Sequence, residues 1–183
     1  MKKFLLASVF SIVAATSAFA DSYFHREAAG QWQIYGNYGD SKLNPSCSAD
    51  FNYNDGSQFR LIKDIHDGEL YIYFLNTDWN IRDETGEQYT VRLNFLGSRG
   101  TVTGGTINYT LLAKNAIHIR NISGEKFIPD FAALSKLQFV MPGSIQNTTI
   151  TLNGSNQAVE GLVRCFNNAK AQGVKKILGG TPL

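Results

Sequence analysis

The chain has 183 residues, with 17 Lys and Arg against 15 Asp and Glu, for a formal net charge of +2. Lys2 and Lys3 lie in an N-terminal stretch that reads as a cleavable leader, so the rest of the chain is formally neutral. It therefore lacks the long-range positive field that draws in nucleic acid or an anionic membrane.

The leader is "MKKFLLASVFSIVAATSAFA". It has a basic start, an apolar run from Phe4 to Ala15, and the A-x-A site Ala18-Phe19-Ala20. That is the layout of a secretory signal, which predicts export to the periplasm or beyond and a mature chain starting at Asp21. The run is short for a membrane span, and no later stretch is apolar for long enough to cross a bilayer. No integral membrane segment is expected after cleavage. Residues 21–170 are expected to form one domain and 171–183 a loose tail.

Short segments then alternate apolar and polar residues with period two, as half-buried strands do. His25 lies near the expected mature N-terminus, in a segment expected to be mobile. Trp32 and Ile34 alternate in "GQWQIYG", and Ala49, Phe51 and Tyr53 in "CSADFNYNDG". Asp55-Gly56 is a turn pair, followed by Phe59 and Leu61. "GELYIYFLN" places Leu70, Ile72 and Phe74 on one face and Tyr71, Tyr73 and Leu75 on the other, as in a strand covered on both sides. Tyr89, Val91, Leu93 and Phe95 alternate next, and "GSRGTVTGG" reads as a hairpin loop. Ile107, Tyr109 and Leu111, then Ile117 and Ile119, continue the rhythm. "PDFAALSKL" predicts a short helix opened by Pro129 and Asp130. Leu137, Phe139 and Met141, then Ile150 and Leu152, mark two further strands. The last element is an amphipathic helix capped by Ser155 or Asn156, with a stripe of Ala158, Leu162, Cys165 and Ala169. Glu160 and Arg164 form a favourable i,i+4 pair, and Gly161 suggests close packing on a sheet. About nine short strands with turn residues between them predict a mainly β fold: an antiparallel β-sandwich with a short helix and a C-terminal helix packed on it.

Cys47 and Cys165 are the only two cysteines. An even count in an exported chain predicts a disulfide between them. No CxxC or HxxxH pair starts a metal site, and no phosphate-binding or nucleophile motif is present. No metal and no cofactor is therefore expected.

Three groups of residues raise the question of chemistry. Asp64, His66, Asp67 and Glu69 sit together in "KDIHDGELY", where acid–base or metal work is conceivable. Asp67-Gly68 makes a charged hairpin turn the preferred reading. Asp78, Asp83, Glu84 and Glu87 flank Trp79, and paired carboxylates can hydrolyse glycosides, but a turn at Gly86 explains them better. Aromatic residues are the most distinctive part of the composition: 12 Phe, 8 Tyr and 2 Trp. Core packing accounts for most of them. Tyr71, Tyr73 and Trp79 are the candidate binding face for a sugar or a protein.

The order of elements resembles a known family. "GQWQIYG", "CSADFNYNDG" and above all "FAALSKLQFVMPGSIQNTTITLNGSNQAVEGL" are similar to segments of the invasion-associated locus B family of exported α-proteobacterial proteins. The match covers the last quarter best and the Trp-containing start loosely. This chain departs from the family in having Ser155 after Gly154, where an aromatic is usual, and in carrying one cysteine in the last helix. The resemblance implies a compact periplasmic or secreted β-sandwich associated with invasion or envelope roles, and it supplies no catalytic residues. The resulting expectation is a non-catalytic, exported protein that binds a protein or glycan partner. The competing readings are a periplasmic inhibitor or immunity protein and a cell-wall glycan hydrolase.

The intact mass of protein purified from the periplasm is expected to match Asp21–Leu183 less two hydrogens, and to rise by two hydrogens on reduction. Two free thiols before reduction would overturn both the export and the disulfide expectations.

Overall fold

The computed structural model describes residues 23–38, 44–98, 100–143 and 147–173. The leader 1–20 and the tail from 174 onward lie outside the described residues. In chain order the elements are β1 (Tyr23–Ala29), β2 (Trp32–Asn37), β3 (Ser46–Asn52), β4 (Gln58–Asp64), β5 (Leu70–Leu75), β6 (Gln88–Gly97), β7 (Gly100–Ala113), β8 (Ala116–Ile122), α1 (Gly124–Ala133), β9 (Lys136–Val140), β10 (Thr148–Thr151) and α2 (Ser155–Ala171).

All ten strands belong to one antiparallel sheet, in the order β1-β2-β3-β4-β5-β8-β7-β6-β9-β10. The mainly β character, the short helix and the C-terminal helix are as the sequence predicts. The strands are hydrogen-bonded into a single sheet, and facing layers arise because that sheet curls on itself. Phe74 of β5 stacks on Phe139 of β9 at 4.4 Å between ring centroids, although three strands separate them in the sheet order. The Tyr53 hydroxyl donates to the Thr151 carbonyl at 3.0 Å, drawing the end of β3 towards β10.

Alternation explains which side chains fill the concave face. Trp32, Ile34, Ala49, Phe59, Leu61, Ile72, Phe74, Val91, Leu93, Phe95, Leu111, Ile117, Ile119, Leu137 and Phe139 are all buried. α1 crosses this space. Its Phe131 meets Trp32 at 5.5 Å and Phe59 at 5.8 Å, and its Phe127 meets Phe95 at 5.1 Å. One helix thus joins the β2–β4 half of the core to the β6 half through edge and stacked ring contacts.

α2 seals the concave side of β1–β3. Ala158, Leu162, Cys165 and Ala169 are all buried, as their spacing predicts. The Cys47–Cys165 disulfide ties α2 to β3, with Cα atoms 6.0 Å apart and a sequence separation of 118. In the chain-entropy model, a loop of that length is worth about 5 kcal/mol against the unfolded chain. The Trp32 indole N–H donates to the Asn153 carbonyl at 2.8 Å, fixing the turn into α2.

Several details differ from the sequence reading. The segment around His25 is not a mobile end: it forms β1 and pairs with β2 from Tyr23↔Asn37 to Ala29↔Trp32. His25 Nδ1 lies 2.8 Å from the Asn168 amide of α2, a partner more than a hundred residues away that no local pattern announces. The hairpin expected at "GSRGTVTGG" is present but shorter than the sequence suggests, because Gly97 already pairs with Gly100 and residues 101–105 belong to β7. Strand pairing overrides the weak propensity of its glycines. α1 starts at Gly124, so Pro129 lies inside the helix instead of opening it. The N-cap of α2 is Gly154, at φ +75°, where glycine carries no Cβ penalty. Ser155 is then the first helical residue and is buried. Arg164 favours a partner across the fold over its helix neighbour: it lies 2.7 Å from Glu27 of β1 and 3.9 Å from Glu160.

Gly161 marks the closest approach of α2 to the sheet, as the sequence suggests. A Cβ there would lie 2.6 Å from Cγ1 of Ile34 and 2.9 Å from Oε1 of Glu27. Alanine improves helix propensity by about 1 kcal/mol. Overpacking against a buried strand costs about 1–3 kcal/mol. Gly161→Ala is therefore expected to destabilise the protein on balance, read as a lower urea midpoint at unchanged slope. A raised midpoint would mean that α2 is not held close to β2.

Candidate functional site

Both helices lie on the concave side, so the convex face of the β1–β5 and β8 region is left without a helix over it. Antiparallel register builds one continuous row of side chains there: Gln33 of β2, Asp50 of β3, Arg60 of β4, Tyr73 of β5, His118 of β8 and Thr110 of β7 are successive cross-strand partners. Tyr35, Ser48, Ile62 and Tyr71 form the neighbouring row. Turn chemistry sets this register. β3 and β4 meet at Asn52↔Gln58 around Asp55-Gly56, where Asp55 accepts from the Ser57 N–H at 2.8 Å.

Tyr71 and Tyr73 are half-buried on this face, with Tyr71 against the His118 ring at 5.7 Å and Arg120 at 5.8 Å. The Tyr71 hydroxyl donates to Glu69 at 2.9 Å. Burial, that hydrogen bond and nearby carboxylates push its pKa up to about 12, so it acts as a neutral donor. Burial, followed by the Arg120 charge, holds the His118 imidazole below its ordinary value.

Trp79 does not join this face. It follows β5, is only 4% exposed, and packs edge-on against Phe74 and Phe139 in the core. Its indole N–H donates to Thr148 at 3.0 Å. The loop after β5 folds inward because Asn76 bonds the same Thr148 at 3.1 Å and takes the Asp78 N–H at 2.8 Å. The candidate face therefore contains Tyr71 and Tyr73 without Trp79.

One hollow of the face lies towards β2, β3 and β4. A depression of about 290 Å³ is lined by Tyr23, Tyr35, Asn37, Ser48, Asp50, Asn52, Gln58 and Arg60. Asp50 is only 8% exposed. Its Oδ2 takes Arg60 at 2.6 Å and 2.8 Å, while Oδ1 has no hydrogen-bond partner among the described residues. Burial raises the Asp50 pKa, outweighing Arg60 and the Ser48 hydroxyl, which pull it down. The sequence reading missed Asp50 and Arg60. The available signal was their equal distance from Asp55, which sets them opposite one another across the hairpin.

The Asp64, His66, Asp67 and Glu69 cluster is the turn between β4 and β5. Asp64 accepts from the His66 N–H at 2.6 Å, the Asp67 N–H at 3.3 Å and Asn44 at 3.0 Å, and Asp67 accepts from the Glu69 N–H at 2.8 Å. These carboxylates order the backbone. Asp78, Asp83, Glu84 and Glu87 are exposed around the loop before β6. Among the described residues, no group of three or more His, Cys, Asp or Glu is placed to hold a metal ion. Among those residues, too, no helix is long and apolar enough to cross a membrane.

No family model, no curated protein and no solved structure matches this chain.

The raised pKa of Asp50 has a definite sign. The folded state holds the proton more tightly than the unfolded chain, so stability is lost as pH rises from the ordinary value of 3.8 through the folded pKa. The cost then persists at neutral pH. Asp50→Asn mimics the protonated form, so its melting temperature at pH 7 is expected to equal or exceed that of the wild type. The difference should shrink as pH falls below about 4. A large loss of stability at pH 7 would mean that the Asp50–Arg60 pair holds the sheet together.

Proposed function

We propose that the protein is an exported, non-catalytic binding protein that presents the convex face of β2–β5 and β8 to a protein or glycan partner in the periplasm or outside the cell. The observation that carries this reading is the row of half-exposed Tyr, Arg and His side chains on a rigid antiparallel sheet whose helices both lie on the opposite side. Aromatic and Arg side chains are the usual anchors of recognition surfaces. Strands also place such groups more accurately than loops do. Export is supported by the leader pattern and by the Cys47–Cys165 disulfide, a bond suited to oxidising compartments. The resemblance to the invasion-associated locus B family points the same way, towards an envelope or host-contact role.

A hydrolase reading is weaker, because the densest carboxylate cluster uses its oxygens on the turn between β4 and β5. No described feature favours an inhibitor or immunity role over a general binding one.

Immobilised Asp21–Leu183 is expected to retain a saturable partner from envelope or host-cell fractions. The doubly substituted Tyr71→Ser, Tyr73→Ser protein should lose that retention by about tenfold or more, the equivalent of one lost anchor. Val163→Ser, on the exposed side of α2, serves as a control that should leave retention unchanged. Equal capture by all three proteins would exclude the convex face as the binding surface.

A further inference from the structure

We propose that the depression between β2, β3 and β4 is a subsite for one neutral sugar unit of a glycan. This rests on the binding reading above and chooses between its two partner classes at this one place.

The lining residues decide the chemistry. Asn37, Asn52 and Gln58 supply amides that both donate and accept, matching vicinal hydroxyls. Tyr23 and Tyr35 stand beside them with ring centroids 5.4 Å apart, and Tyr23 is 43% exposed, offering an apolar edge to the C–H face of a sugar ring. The lining is almost wholly polar, which disfavours a hydrophobic ligand. The volume of about 290 Å³ is close to the lower end of ligand pockets, which run from about 300 to 1,000 Å³. That suits a single ring. The depression opens on a sheet face with no helix over it, so the rest of a chain can extend along the face.

Charge narrows the ligand further. Arg60 is the cation of the lining and Asp50 its anion, and the two are paired at 2.6 Å. The pair itself gives no net pull on phosphate, carboxylate or ammonium groups, and the further cation nearby, Arg26, lies over the Tyr35 ring at 5.7 Å. The pair instead fixes the guanidinium: Nε and one terminal nitrogen are held by Asp50 Oδ2, and the Arg60 side chain remains 47% exposed. Its remaining N–H groups face outward as preset donors for hydroxyl oxygens. Asp50 is thus a positioning residue. A nearly buried carboxylate that holds one guanidinium at 2.6 Å fixes the donor geometry that a binding site needs.

The test is an NMR titration of ¹⁵N-labelled Asp21–Leu183 with glucose, galactose, mannose and N-acetylglucosamine, each added separately, with ammonium and phosphate ions as charged probes. Single-unit affinity of roughly millimolar order is expected for at least one sugar. Shifts should centre on the side-chain amides of Asn37, Asn52 and Gln58 and on the Arg60 Nε–H. Gln58→Ala and Tyr35→Ala should each weaken binding at least about fivefold, and Asp50→Asn should weaken it while broadening or shifting the Arg60 Nε–H signal in the free protein. Asp50→Glu should partly restore both. If every sugar leaves these resonances unmoved, or if the charged probes move them more strongly, the subsite proposal is wrong. A partner capture that depends on Tyr71 and Tyr73 but ignores Gln58→Ala and Tyr35→Ala would also overturn it, while leaving the broader binding reading in place.

Discussion

The seating of α2 on the concave side of β1–β3 is the constraint on which the rest of the molecule depends. It joins the two ends of the described chain. Cys165 is bonded to Cys47, Gly161 lets the helix backbone approach Ile34, Arg164 reaches Glu27, and Trp32 holds the turn before the helix. Glu27 is kept ionised to lower pH than usual, chiefly by its hydrogen bond from Arg164. The contacts differ in kind, and they act together because the disulfide sets the axial position of the helix that the others need. A long non-local closure is slow to find and costly in chain entropy. The covalent link offsets part of that cost once it has formed.

Putting both helices on one side has a consequence for the other. The concave face is filled with Phe and aliphatic side chains in close ring contact, so the sheet is rigid where α1 and α2 brace it. The convex face carries the alternate residues of the same strands, and these include Tyr35, Arg60, Tyr71, Tyr73 and His118. A sheet stiffened from behind can present such groups in a fixed arrangement, which lowers the entropy lost on binding. The Asp50–Arg60 pair sits on this face. Removing Arg60 would leave the buried Asp50 carboxylate without its cation, whereas removing the Asp50 charge leaves an Arg60 side chain that is 47% exposed to water.

Local patterns were legible where a single segment carries its own physics. Period-two alternation placed Ile34, Phe59, Ile72, Phe74, Leu93 and Phe139 in the core, and helical spacing placed Ala158, Leu162 and Cys165 on the buried stripe of α2. The turn reading of Asp64 to Glu69 rested on Asp67-Gly68 and agrees with the hydrogen bonds there. The errors share a cause. Trp79 is drawn into the core by Thr148, which lies 69 residues away. β1 is ordered by β2 and α2, and the glycine-rich start of β7 is ordered by β6. Pro129 was placed at a helix start by propensity, while the actual start at Gly124 lies where the chain leaves β8.

Taken alone, the amino-acid sequence determined the secondary-structure class, the cysteine pairing and the inward face of most strands. Each of these follows from residue type and near-neighbour spacing. Only the tertiary structure decided that ten strands form one curled sheet, that both helices occupy its concave side, and that Asp50, Arg60, Tyr73 and His118 stand in one row. Strand order and register depend on pairings between distant segments, and a shift of one residue would turn every side chain to the opposite face. The periodicity of one strand is the same for every partner it could take, so the candidate site came into view only when the strands were paired.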